Sequence, residues 1–280
     1  MKLPIALVTG VLVTLCLPAW AEENPKPDAK PDRKPIPADL VDDPHVREEL
    51  GVNEFTAPSI AKLFETLKDL APLPAEESKL GTRLPLDRAD LAVELGFLIA
   101  DGFLVVQAGQ MDKVPSLAAD LTKYGKALGT GDRVNRHAAS LLESAKNNQV
   151  DQLKKELTAT QKDVEEELVA LRDADLAHLI SLGGWIHALN VSVTAVDKQF
   201  SAPRAKLIMR EDIADYYTES VASLEPRISE RPNYLAMRQI LSGLRLEMAL
   251  GENGVPTAEK VASIKKESDK LVELALQHQK

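Results

Sequence analysis

LAVELGFLIADGFLVVQA, residues 91–108, carries only three polar side chains, Glu94, Asp101 and Gln107. A helix that is apolar on nearly every side has no face to offer water and belongs inside a bundle. A second stretch, LAHLISLGGWIHALNVSVTAV at 176–196, has the same character. Together they predict an all-α fold, a multi-helix bundle with two buried central helices shielded by amphipathic neighbours.

Working outward, turn and cap signals divide the chain into about eight to nine helices. Residues 56–70 place Ile60, Leu63, Phe64, Leu67 and Leu70 on one stripe, with Thr56 as a cap, Pro58 in the first turn, and Pro72 and Pro74 as stops. Asp87 opens the first central helix. Helices follow at 114–128 and 133–146, where Gly129 ends one and Asp132 caps the next. Residues 150–171 form an amphipathic helix whose Val150, Leu157, Val164 and Leu171 recur every seven positions. A continuous rod from 150 to 196 would be roughly 70 Å long, so a break is expected near Asp173-Ala174-Asp175. The remaining helices are expected at 205–224, 232–250 and 257–278. No window alternates with the period of a strand.

The two central stretches align at an offset of 85 residues, with eight identities over the 25 positions from Ala89 to Lys113. Ala139-Ser140-Leu141 is echoed by Ala222-Ser223-Leu224. Two explanations stand, a duplication giving pseudo-repeats at about 56–148 and 149–250, or chance recurrence of common Ala and Leu. Gly96, Gly102, Gly183 and Gly184 each cost about 1 kcal/mol of helix propensity relative to alanine, which suits a close helix approach or a bend. Trp185 either fills the space beside the glycine pair or walls a ligand pocket.

The N-terminus reads as a secretory signal at 1–21, with Lys2, an apolar run from Ile5 to Leu17, and Ala19-Trp20-Ala21 before the cut. Cys16 follows Leu15 rather than the small residue of a lipoprotein signal. Residues 22–39 form a proline-rich linker expected to be disordered, and 40–280 a single all-α domain. Cleavage removes the chain's single cysteine, which excludes disulfides, thiolate nucleophiles and cysteine-held metals. It also takes one lysine and no acid, moving the formal net charge from −9 to −10. That balance argues against nucleic acid and anionic membrane surfaces. No run after residue 21 is expected to span a membrane.

The chemistry rests on polar groups within apolar helices. Glu94 and Asp101 share a face about two turns, roughly 10 Å, apart, too far to share a proton or a metal. Each is expected to find an arginine, lysine, histidine or helix end; the alternative is a buried acid or a metal pair completed from another helix. His187, Asn190 and Thr194 form one seam, and His178, Ser181 and Ser192 the opposite one. Glu94, Asp101, Trp185, His187 and Asn190 are therefore the candidate ligand pocket. No catalytic residue, cofactor or metal site is assigned, because Glu-x-x-His, H-E-x-x-H, G-x-S-x-G and a Walker A loop are all missing. Gly129-Thr130-Gly131 reads as a helix connection, and Tyr216-Tyr217 as half core, half rim. The expected function is a non-enzymatic binding or scaffolding module, exported to the periplasm or beyond, with an envelope protein or a small ligand as partner. The alternative is a small-molecule or metal site between the central helices; a hydrolase comes third.

Overall fold

A computed structural model of the chain describes residues 58–70, 73, 78, 80–81, 83–250 and 254–278. The expected signal peptide, linker, Thr56 cap, and stops at Pro72 and Pro74 lie outside these residues. Among the described residues the fold is an all-α multi-helix bundle, 80% helical with no strand.

α1 (Ile60–Leu67) runs into a 3-10 turn and buries the stripe of Ile60, Leu63, Phe64 and Leu67. α2 (Arg88–Gln107) begins where Asp87 accepts hydrogen bonds from the amides of Ala89 and Asp90, and it is buried continuously from Ala89 to Val106. α3 (Val114–Leu128) ends on Gly129 at φ 89°, the left-handed turn glycine adopts without strain. α4 (Gly131–Lys146) starts two residues earlier than a helix capped by Asp132 would, leaving that aspartate in the first turn. The residue before the helix, Thr130, is buried and turns its hydroxyl back to the Gly125 carbonyl, so it does not cap either. α5 (Val150–Ala170) is separated from α6 (Ala174–Lys198) by Arg172 at φ 60°. The expected break thus falls at residues 171–173. Leu157 and Val164 of the seven-residue seam are fully buried, while Val150 and Leu171 at its ends are exposed.

The expected helix at 205–224 is two. α7 (Ala202–Lys206), capped by the Ser201 hydroxyl, stops in short-range turns at Leu207 and Ile208 that tuck Ala205 and Ile208 into the core. α8 (Glu211–Ser223) then starts afresh with Glu211 and Asp212 at its positive end. The short α9 (Pro226–Ser229) precedes α10 (Pro232–Met248), and α11 (Ala258–Ala275) is capped by the Thr257 hydroxyl.

α2 and α6 pack against each other along their lengths, and the glycines set how closely. A methyl added at Gly96 would lie 2.0 Å from the Ile180 carbonyl oxygen, and one at Gly183 2.2 Å from that of Val93. The backbones touch where these side chains are missing. α3, α4 and α5 pack in sequence around α2, and α8, α10 and α11 pack in sequence with α11 returning to α6. α1 lies against α6 and touches α2 and α5. An internal repeat is not confirmed: Ala139-Ser140-Leu141 lies within α4, whereas Ala222-Ser223-Leu224 runs off the end of α8. The expectation that no later run is span-like is corrected on composition. α6 is long and apolar enough, at a mean hydropathy of 1.4, and 89% of that window is buried inside the fold. Its polar interruptions are too mild to lower the average, and burial against α2 is what occupies its surface.

Candidate functional site

Two of the three polar residues of the opening stretch find partners from distant parts of the chain. Glu94 on α2 is 1% exposed; it accepts a 2.5 Å hydrogen bond from the Tyr124 hydroxyl on α3 and lies 2.6 Å from His278 Nε2, just beyond α11. Burial first, and then the Glu94 carboxyl, push the Tyr124 phenol far above its ordinary range, so it serves as a donor. Asp101, one heptad on, accepts from the Ser78 amide at 3.1 Å to both oxygens and from the Ser78 hydroxyl at 2.5 Å. His187 Nε2 on α6 lies 2.7 Å from the same carboxylate, with both side chains nearly fully buried. The pairing expected of a carboxylate inside a bundle is present at both positions, with histidine the partner each time.

Serine, histidine and aspartate meet here, but not as a nucleophile relay. Ser78 Oγ lies 3.5 Å from His187 Nε2, the same ring nitrogen that faces Asp101, and the serine hydroxyl is itself bonded to the aspartate. A relay needs the acid on one ring nitrogen and the nucleophile on the other. This arrangement positions; it does not pass a proton from serine.

Above the polar layer a cavity of about 660 Å³ opens between α2, α3 and the segment around Ser78 to Leu84. Asp101 and Tyr124 line it together with the apolar Leu98, Val105 and Leu117. Charges of both signs, Asp112, Lys113, Asp120 and Lys123, also line it, and Lys123 reaches Asp120 at 2.6 Å.

Of the five candidate residues, Asp101 and His187 meet, Glu94 pairs separately with Tyr124 and His278, only Asp101 is among the residues lining the cavity, and the other two lie elsewhere. Trp185 stacks at a tilt on Tyr217, with ring centroids 5.1 Å apart, beside a void of about 30 Å³ near Leu63 and Met248. Asn190 donates to Ser268 Oγ at 3.2 Å and Asp269 Oδ1 at 2.8 Å, fastening α6 to α11. α6 presents both to different neighbours from the one His187 meets. Ser78, Tyr124 and His278 were not candidates. Tyr124 reads as an ordinary core aromatic of an amphipathic helix, and nothing local distinguishes the other two.

The opposite seam is also engaged. The Tyr216 hydroxyl lies 2.9 Å from His178 Nδ1 and Ser220 Oγ 3.3 Å, while Ser181 donates to the Pro58 carbonyl. Tyr217 is fully buried and Tyr216 half-buried, its phenol pushed up to about 12 by burial. His137 sits between Glu156 at 3.0 Å and Asp163 at 3.1 Å, joining α4 to α5. Burial pushes the Glu156 carboxyl up, but hydrogen bonds from His137, Ser140 and Gln152 hold it below its usual range. Among the described residues no group of three or more His, Cys, Asp or Glu is placed to hold a metal ion. Comparison with known proteins returns no matching family model, no matching curated protein and no matching solved structure.

Proposed function

We propose that this chain is a non-catalytic binding module, exported to the cell envelope, that takes a small polar ligand in the cavity between α2 and α3. The observation that carries the reading is the cavity itself. Its volume of about 660 Å³ falls within the range of small-molecule sites, and apolar walls surround a few convergent polar groups. Asp101, its oxygens already engaged by Ser78 and His187, adds a fixed negative charge to the wall rather than a free acceptor. Because carboxylates and ammonium groups alternate in the lining, the matching ligand is a zwitterion or an amine bearing hydrogen-bond acceptors. Export is supported by the Lys2, apolar run and Ala19-Trp20-Ala21 pattern, and the −10 charge of the processed chain suits a protein that stays clear of anionic surfaces.

The test is thermal shift of residues 22–280 against amino acids, polyamines and betaines, repeated with Leu98→Trp, which fills the cavity. A ligand saturating the site at 100 times its Kd should add about 2.7 kcal/mol of stability. Leu98→Trp should abolish that shift while the variant still unfolds cooperatively. A panel without any response, or a response unchanged in the filled variant, contradicts the proposal.

A further inference from the structure

A second recess shares no lining residue with the first. It lies between α1 and α5 and has a volume of about 830 Å³. Phe64 and Phe103 stack beneath it with centroids 5.5 Å apart, and at 5% and 4% exposed both belong to the core. What the recess offers a ligand is therefore its polar wall. On one side Lys154, Lys155, Thr158 and Lys162 share a face of α5; across from them stand Glu65 and Lys68.

Three ties set how the walls face each other. The Ile60 amide donates to Gln161 Oε1, Phe64 stacks on Phe103, and a methyl at the adjacent Gly102 would lie 2.7 Å from Leu157. As α1 advances from Ile60 to Lys68, it meets α5 in reverse, from Gln161 toward Asp151. Lys68, Lys154 and Lys155 thus gather at one end of the recess, and Lys162 stands roughly 10 Å along the helix from Lys155. Four lysines against Glu65 and Asp151 give the lining a formal charge of +2, in a chain whose net charge is −9. Asp151 stands one turn before Lys154 and Lys155, and Glu65 one turn before Lys68. Even so, among the described residues none of these three lysines forms an ion pair, and Lys162 reaches Glu166 only at 3.6 Å.

Ammonium groups that converge on a concave surface without partners favour an anion, and an excess of two positive charges matches the dianion of a phosphate monoester. We infer that this recess binds a soluble sugar phosphate, with the phosphate among Lys68, Lys154 and Lys155 and the sugar hydroxyls along Glu65 and Thr158. Lysine meets phosphate as a point charge, so three at one end hold it without a fixed fork geometry. The two carboxylates select the body of the ligand. They repel a bare polyanion but accept from hydroxyl donors, which a sugar supplies in number. A phosphatidate membrane carries the same head group, but the acidic remainder of the chain is repelled by such a surface. The inference goes beyond the proposed function and does not rest on it.

Calorimetric titration of the chain 22–280 with glucose 6-phosphate at low ionic strength reads the site. Glucose 6-phosphate should bind with a Kd of about 0.1 mM or tighter, and glucose, which lacks the charge, should not bind. Glucose 6-sulfate has the same body and a single charge; inorganic phosphate has the charge without the body. Each should bind at least about tenfold more weakly, a loss of roughly 1.4 kcal/mol or more. The double variant Lys154→Gln/Lys155→Gln should lose at least the same factor and keep the wild-type melting temperature, since both side chains are exposed. Thr158→Val should weaken glucose 6-phosphate about threefold and leave inorganic phosphate unchanged. Leu98→Trp in the other cavity should leave glucose 6-phosphate binding as it is. Absence of glucose 6-phosphate binding, inorganic phosphate or the sulfate ester binding equally well, full affinity in the double variant, or binding to phosphatidate vesicles in place of the sugar phosphate would each overturn the inference.

Discussion

Gly96→Ala should destabilise the protein by about 3 kcal/mol or more, although helix propensity alone predicts a gain of about 1 kcal/mol. The added methyl would lie 2.0 Å from the Ile180 carbonyl oxygen and 2.7 Å from the Gly184 amide nitrogen, and neither backbone atom can rotate away. α2 and α6 would have to separate, loosening the packing of both helices over their buried lengths. Gly183→Ala meets the Val93 carbonyl at 2.2 Å and should behave alike. Two other glycines serve as controls. At Gly184 the nearest atoms belong to the flexible end of Ile60, so the loss should be smaller. At Gly243 on α10 nothing lies within 4 Å, so alanine there should stabilise by about 1 kcal/mol. Urea unfolding monitored by circular dichroism ranks the four; a stabilised Gly96→Ala would show that the helices do not touch there.

Arg231→Met should cost about 3–5 kcal/mol, the range for breaking one side of a buried ion pair. Arg231, 8% exposed, donates to Asp87 at 2.7 and 3.1 Å, to Asp90 at 3.3 Å and to the Arg227 carbonyl at 3.0 Å. It ties the start of α10 to the start of α2, where Asp87 is also the helix cap. Burial pushes the Asp87 carboxyl up, but the Arg231 hydrogen bond and charge and the amides of Asp90 and Ala89 bring it below its usual range. A carboxyl lowered in the folded state stabilises above its unfolded value, and that contribution fades as pH falls through the lowered one. The wild-type protein should therefore lose stability on acidification below about pH 4, and Arg231→Met should lose less over the same interval. Chemical unfolding at pH 3, 4 and 7 reads both effects; equal acid losses in the two proteins would remove Asp87 from the account.

The central helices were legible because an apolar run leaves a helix only one place to go, and the glycines on them pointed to a close approach or a bend, of which close approach is what Gly96 and Gly183 make. Helix ends set by Asp87 and Gly129 were equally readable, being decided by one residue's local chemistry. The division of 205–224 was not, because Ala205 and Ile208 turn inward to meet the core, a tertiary choice that local periodicity does not encode. The site divides in the same way. A carboxylate in an apolar helix demands a partner, so Glu94 and Asp101 could be singled out. Their partners Tyr124, His278 and Ser78 stand 30, 184 and 23 residues away and could not. Trp185 and Asn190 do not meet Asp101 and His187, because angle around a helix says which side a residue faces, not which neighbour waits there.

Native-state hydrogen exchange, resolved by residue, tests the core of this account most directly. Amides at 91–106 in α2 and 176–196 in α6 should exchange only through global unfolding, with the largest protection in the protein, and α3, α4, α8 and α10 should open at lower free energies. Exchange in α2 or α6 as fast as in those outer helices would contradict the placement of the two at the centre.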